Sequence, residues 1–336
     1  MEKHTLDDIA RITGYSKTTV SRVLNGKAAS ARISKQAVEK IMKVSKDTGY
    51  QLNSVAQMLR SKVSKTIGLV VPYISNPFFA NLASTVITNA RQAGYIVTLI
   101  DTMENPEAER QALNTMVARS VDGIIVVPCG DDPATIASLC KRVPLILIDR
   151  YYPEADIPYV STDNYDGGYR AMQLLLESGH NRVLCIKGPD VSVTSNERVR
   201  GCHDAIARSG NNCRLSVVGN NFSVQNGYIE TQLAIGAKQP PTAIFALSST
   251  ILLGVLKALN EHKLNIPDDV SVISFDDNTY LDYLNPPVTR IKQPVTDIAE
   301  TAINLLIQAI AKKEQLQANI CMAPSIVLRN SIKHLH

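Results

Sequence analysis

The sequence predicts an N-terminal all-α head built on a helix-turn-helix, followed by an α/β core of two doubly wound parallel-sheet subdomains. Three observations carry this. Residues 5–26, TLDDIARITGYSKTTVSRVLNG, hold two short amphipathic periods split at Gly14. From Thr66 the pattern changes to short β-branched runs alternating with helical stretches. After Tyr159 the alternation starts afresh, so the core has two halves.

In the head, Leu6, Ile9 and Ala10 share one helical face, with Thr5 and Asp8 placed as a capping box. Gly14 turns the chain, because glycine takes φ > 0 without a Cβ clash. Ser16 caps a second helix whose apolar positions are Val20, Val23 and Leu24. That leaves Lys17, Thr18, Ser21, Arg22 and Asn25 facing outward. A third helix starts at Ser34, turns Val38, Ile41 and Met42 inward, and stops at Gly49. Two short helices joined at a glycine also occur in ordinary helical cores. Charge separates the readings. Residues 1–65 hold thirteen Lys/Arg against five Asp/Glu, a net of +8, which leaves residues 66–336 at −4. A basic head whose second helix carries no carboxylate on its outward face is the footprint of a major-groove reader.

Within residues 50–65, YQLNSVAQMLRSKVSK, the stretch NSVAQMLRS has helical composition, yet it is shorter than the ~12–15 residues an isolated helix needs in water. Leu59 lies one turn past Val55 and Ala56, and an apolar side chain there can wedge between base steps in the minor groove. A plain linker with one exposed Leu is the other reading.

In the core, TIGLVV, YIVTLI, GIIVV and PLILI alternate with helices near 79–93, 106–119 and 132–141. RVLCIK, LSVVG, TAIFAL and VSVISF alternate with helices near 165–179, 196–209, 226–237 and 249–262. Near-continuous apolar strands mean parallel sheets covered on both faces, and ligands of such sheets bind beyond the strand carboxyl ends. Asp149 ends PLILID, Asp276 ends VSVISFD, and Arg198 follows the loop GPDVSVTSNE. Carboxylates accepting from vicinal hydroxyls, with an Arg donating back, suit a polyol, and Phe78 and Phe222 offer flat apolar faces. Each carboxylate taken alone equally suits a helix cap or a loop tie.

With these residues in view, the chain resembles the lactose-repressor/galactose-repressor family of bacterial transcription regulators. The likeness runs through TLDDIARITGYSKTTVSRVLNG, TIGLVVPYISNPFF, VDGIIVVP, ILIDR, STDNYDGG, ERVRG and VSVISFDD. It implies a periplasmic-binding-protein-like core, a DNA-binding domain over 1–49, a hinge over 50–65 and an effector and dimerisation core over 66–336. Within that core it implies an N-subdomain of about 66–162 and 291–323, and a C-subdomain of about 163–290 and 324–336. It carries Thr5, Ser16, Lys17, Thr18, Ser21, Arg22 and Asn25 into operator contact, and Asn53, Val55, Ala56 and Leu59 into hinge-helix roles. It also carries Tyr73, Ser75, Phe78, Asp149, Asp163, Thr194, Arg198, Phe222, Ser248 and Asp276 into effector contact.

The chain departs from the family pattern at three places. Leu52 stands where a Pro commonly precedes the hinge Asn, and Tyr73 where an Asp follows VP. Ser248 and Ser249 stand where an Asn-Asp pair is usual, which removes a ligand-facing amide. SSTILLGVLKAL and NGKAASARIS are similar to fructose-responsive and sucrose-responsive regulators, a subgroup that implies ketohexoses or their phosphates as effectors.

The function expected is thus a transcription regulator, in its most direct form a repressor, with double-stranded palindromic operator DNA and a sugar or sugar phosphate as partners. Other classes fit poorly. The chain has no G-x-G-x-x-G, P-loop, H-E-x-x-H or G-x-S-x-G, so no cofactor and no catalysis are expected. Six Cys without C-x-x-C spacing imply reduced core thiols and no metal site. MEKHTLDD lacks an apolar run after its Lys, which predicts a cytoplasmic protein rather than a secreted sugar binder. SIKHLH carries no heptad, which predicts a homodimer rather than a coiled-coil tetramer.

Overall fold

A computed structural model describes residues 4–26, 28–50, 63–312, 314 and 316–335. The chain divides into two compact units, Met1–Ser64 and Lys65–His336.

In the first unit, helix α1 (Leu6–Thr13) opens on a complete capping box: the Thr5 hydroxyl accepts from the Asp8 N–H, and the Asp8 carboxylate accepts from the Thr5 N–H at 2.9 Å. Gly14, at φ +74°, closes the helix, and Ser16 caps α2 (Lys17–Leu24) by accepting from the Thr19 N–H at 3.1 Å. Ser34 caps α3 (Lys35–Asp47) in the same way. Ile9, Val20, Val23 and Ile41 form the buried centre, ringed by Leu6, Ala10, Leu24 and Val38. Met42 departs from expectation, being 52% exposed. The inner stripe of α3 runs through Ala37, Ile41 and Val44, and Met42 lies about 100° further round the helix from Ile41. The hinge candidates Asn53, Val55, Ala56 and Leu59 fall outside the described residues.

The second unit begins with β1 (Thr66–Val71), α4 (Pro77–Gln92), β2 (Ile96–Asp101), α5 (Pro106–Ala118), β3 (Gly123–Val126), α6 (Ala134–Cys140), β4 (Leu145–Ile148) and β5 (Tyr159–Thr162). It repeats the plan with α7 (Asn164–Glu177), β6 (Arg182–Ile186), α8 (Val193–Ser209), β7 (Arg214–Val218), α9 (Val224–Ile235), β8 (Ala243–Ala246), α10 (Ser249–Glu261), β9 (Ser271–Phe275) and β10 (Thr289–Lys292). Helix α11 (Val295–Lys312) and strands β11 (Asn319–Met322) and β12 (Ser325–Val327) complete it.

Two sheets result, ordered β11-β5-β4-β3-β1-β2 and β12-β10-β9-β8-β6-β7. The orders match strand for strand, so β4 and β9 hold equivalent places. All pairings are parallel except β10–β12, an antiparallel edge. Central strands β3, β4, β8 and β9 are buried throughout, as helices on both faces require. The chain crosses between sheets after β5, after β10 and between β11 and β12. At the second crossing α11 packs Ile298, Ala302, Ile303 and Leu306 against the first sheet.

Two helix crossings are unusually tight. A Cβ on Gly168 of α7 would lie 2.0 Å from the Arg198 carbonyl oxygen, and one on Gly201 of α8 would lie 2.2 Å from that of Tyr165. Only glycine allows α7 and α8 this approach, and Gly227 and Gly254 do the same for α9 and α10.

Candidate functional site

On the head, Lys17, Thr18 and Arg22 are exposed on α2. The Lys17 ammonium pairs with Asp7 at 2.8 Å, with both side chains largely in solvent. Thr5 and Ser16 spend their hydroxyls on the two caps. Asn25 departs from the outward placement expected of it: its amide donates to the Ser21 carbonyl and hydroxyl, and both residues are half-buried. An Asn at a helix C-terminus finds acceptors on its own last turn.

In the second unit, a cavity of about 540 Å³ opens between the two sheets' carboxyl ends. It gathers Tyr73, Phe78, Asp149, Thr194, Arg198, Phe222, Ser248 and Asp276 from six separate segments. Asp149 and Asp276 follow the equivalent strands β4 and β9, and both are left-handed, at φ 65° and φ 76°. Asp is among the few residues besides Gly that tolerate this conformation. The turn lets the chain leave the strand while the side chain stays at the cavity wall.

Asp149 is 4% exposed, and none of the described residues hydrogen-bonds its carboxylate. Burial pushes its pKa up to about 6, against the pull of Arg150 and Arg198 and with help from Asp276 and Glu104. Asp276 is better tied: it accepts from the Ser249 N–H at 3.0 Å and from the Gln293 amide at 2.7 Å. Gln293 in turn accepts from the Thr162 hydroxyl at 2.6 Å. That chain joins β5, the second crossing and the cavity.

Arg198, 4% exposed, stacks with its guanidinium carbon 3.6 Å from the Phe275 ring centroid. Its Nε donates to Asn164 at 2.8 Å and its Nη1 to the Leu247 carbonyl at 2.6 Å. Burial lowers its pKa, partly countered by Asp276 and Asp149. Ser248 caps α10, and the hydroxyls of Thr194 and Ser192 lie 3.0 Å apart. Phe222 occupies the space a Cβ on Gly188 would fill, 2.3 Å from that position.

Two expected residues are not brought in. Ser75 is exposed in the loop before α4 and does not line the cavity. Asp163 is the N-cap of α7, accepting from the Asp166 N–H at 2.9 Å, which is the helix-cap alternative its residue type allowed. Conversely, Phe79, Glu104, Cys129, Arg150, Asn221 and Gln293 line the cavity without having been singled out. Arg150 had a signal, since it follows Asp149 in ILIDR, as did Phe79 in NPFF. Arg150 is 8% exposed and donates both Nη groups to the Glu104 carboxylate, at 2.8 and 2.7 Å. Burial opposes its charge, but the Glu104 pair more than offsets this and raises its pKa. The Cys129 thiol is pushed up to about 12 by burial and Glu109, so it is an inert lining group.

Known proteins match both units. Residues 5–53 match the domain of bacterial regulatory proteins of the lacI family, and residues 172–332 match a periplasmic binding protein-like domain. The chain is 30% identical over 337 residues to the HTH-type transcriptional repressor PurR of Photobacterium profundum, covering 99% of each. The chain belongs to the LacI family. Among solved structures, the lac repressor dimer bound to operator and the anti-inducer ONPF is similar at TM-score 0.89 and 26% identity, over 99% of this chain and 100% of that one. A LacI-family regulator from Enterococcus faecium with bound ribose is similar at TM-score 0.73 and 27% identity, over 81% and 100%. This LacI-family chain is a DNA-binding transcription regulator, and PurR and the lac repressor, which it matches over nearly its whole length, are transcriptional repressors and not enzymes. Among the described residues no helix is long and apolar enough to cross a membrane.

Proposed function

We propose that the protein is a cytoplasmic homodimeric repressor whose operator affinity is set by a small sugar in the cavity between its sheets. The observation that carries this is the Asp149 carboxylate, buried at the cavity wall with no hydrogen-bond donor among the described residues. A buried carboxylate requires donors, and the vicinal hydroxyls of a polyol are donors of the right kind. Asp276 and Arg198 converge on the same space, and Phe78 and Phe222 add apolar faces for a sugar ring. Thr194, Tyr73 and Ser248 line it as well. The relative with bound ribose supports the ligand class, and the operator-bound lac repressor dimer supports pairing of two heads on one operator.

The test is a thermal-shift screen of the full chain against D-ribose, D-fructose and other free sugars. A ligand at about 100 times its Kd adds about 2.7 kcal/mol of stability. Asp276→Asn keeps the side-chain shape but removes the charge, and it is expected to leave operator binding without sugar intact while abolishing the response to sugar. A full response in that variant overturns the assignment. The coupling is reciprocal, so a sugar that weakens operator binding is itself held less tightly by the operator-bound protein.

Operator reading is assigned to Lys17, Thr18 and Arg22, which are exposed on α2, with Ser16, Ser21 and Asn25 in mixed base and phosphate roles and Thr5 in operator contact beside them. Arg22→Ala is expected to cost roughly 1–3 kcal/mol and to relax specificity at one base pair per half-site. Binding measured across single-base operator variants checks this; unchanged discrimination rejects it.

A further inference from the structure

Resting on that sugar reading, we infer that Glu104 is the residue that makes the cavity choose an uncharged sugar over its phosphorylated form. A phosphate needs free cations or free backbone N–H groups. The cavity offers two guanidinium groups, Arg150 and Arg198, and both are engaged. Arg198 commits its Nε to Asn164, its Nη1 to the Leu247 carbonyl and its flat face to Phe275, which leaves its Nη2 group for the hydroxyls of the sugar. Arg150 is clamped in two-point fashion by Glu104.

The charges around the cavity point the same way. Its lining carries three carboxylates (Glu104, Asp149 and Asp276) against two guanidinium groups. The adjoining space on one side, formed by the loops after β3 and β4 and the start of α8, adds Asp131, Glu154 and Glu197. On the other side it adds Asp277 and Asp297 against Lys292. Glu197 is neutralised by Arg200, and Asp277 by Arg290 and Lys292. Asp131, Glu154 and Asp297 still leave both approaches acidic, and a narrow low-dielectric cleft concentrates such a field.

Among the three lining carboxylates, Glu104 differs in kind. Asp149 and Asp276 are buried at equivalent strand ends, where they can accept from ligand hydroxyls. The Glu104 side chain is 42% exposed at the edge, and its oxygens are turned onto Arg150. The backbone is bent to hold it there: Met103 and Glu104 are successive left-handed residues at φ 52° and φ 55°, pinned by the Glu104 N–H to the Pro72 carbonyl at 2.7 Å. Neither residue is of a type that adopts this conformation readily, so the turn stores strain at a functional site. What the strain secures is a carboxylate that cancels Arg150.

Calorimetric titration of the full chain with D-ribose, D-ribose 5-phosphate, D-fructose and D-fructose 6-phosphate tests this in the wild type, Glu104→Gln and Glu104→Asp. The wild type is expected to hold a free sugar at least about thirtyfold more tightly than its phosphate. Glu104→Gln, which frees Arg150, is expected to shrink that ratio about tenfold or more by gaining affinity for the phosphate. A gain is a readout that a merely damaged cleft does not produce. Glu104→Asp, which retains the charge, is expected to keep the ratio near the wild-type value. A ratio unmoved in Glu104→Gln, or a wild type that binds phosphates as tightly as free sugars, overturns the role of Glu104 while the sugar reading stands. If none of the four binds the wild type although operator binding is intact, the sugar reading falls and Glu104 with it.

Discussion

Asp149→Asn is expected to make the protein more stable and less able to respond to its ligand. Asn tolerates the left-handed backbone at this position as well as Asp does, so the fold loses nothing locally. What it removes is a desolvated charge. The folded-state pKa is about 6 and the unfolded reference is 3.8, so between these values the folded chain holds the extra proton. Wild-type stability therefore falls as pH rises through that window, and the cost is fully present above about pH 6. Relieving it at pH 7 is worth roughly 1–3 kcal/mol, and by pH 5 roughly half of the gain should be gone.

Ligand affinity should move the other way. A carboxylate accepting from hydroxyls makes charge-assisted bonds, and losing them costs ~1.5–3 kcal/mol, about ten- to hundredfold in Kd. The wild type itself should bind sugar more weakly as pH drops through about 6, while the Asn variant shows no such dependence. Urea melts at pH 5 and 7, with calorimetry over the same range, check both halves. An Asn variant that is no more stable at pH 7, or binds sugar as the wild type does, rejects the assignment.

How local a signal is decides which parts of the molecule are legible in the sequence. The head was legible because its signals are local: Thr5 and Asp8, Gly14, Ser16 and Ser34 each act within one helical turn. Met42 was misplaced because an apolar stripe narrower than half the helix leaves flanking apolar residues in solvent. In the core, long buried strands such as β1 and β9 announce themselves, whereas β5, β10, β11, β12 and α11 were not singled out. The last three are recruited by crossings between sheets, and β12 by antiparallel pairing at an edge; neither is a property of local pattern.

The cavity follows the same division. Asp149 and Asp276 each end an apolar strand, a position readable from the chain. Gln293 reaches Asp276 only because the chain crosses there, and Glu104 reaches Arg150 only through a left-handed turn 46 residues earlier. Asp163 shows the converse: a carboxylate beside a strand end can be spent entirely on a helix cap.

Gly168→Ala is expected to be among the most damaging single-methyl additions in the core. The new Cβ would stand 2.0 Å from the Arg198 carbonyl oxygen and within 2.8 Å of its Cα, well inside contact distance. Both obstacles are backbone, so no side chain can swing aside, and α7 and α8 must separate. Overpacking of this kind costs about 3 kcal/mol or more. The displacement is centred on Arg198, whose Nε bond to Asn164 spans the same two helices. The neighbouring Gly167 lies against the Phe275 ring on which Arg198 stacks, so the slot for the guanidinium is built by this crossing. Loss of stability and loss of sugar affinity should thus appear together in Gly168→Ala. Gly236→Ala is the matched control, because that residue has ordinary helical φ and its nearest neighbour to a new Cβ is 3.7 Å away. It should be neutral or stabilising by about 0.4–1 kcal/mol through the unfolded chain. Urea denaturation and sugar titration of both variants decide the matter. A Gly168→Ala protein as stable and as sugar-responsive as Gly236→Ala would show that the α7–α8 contact does not set the position of Arg198.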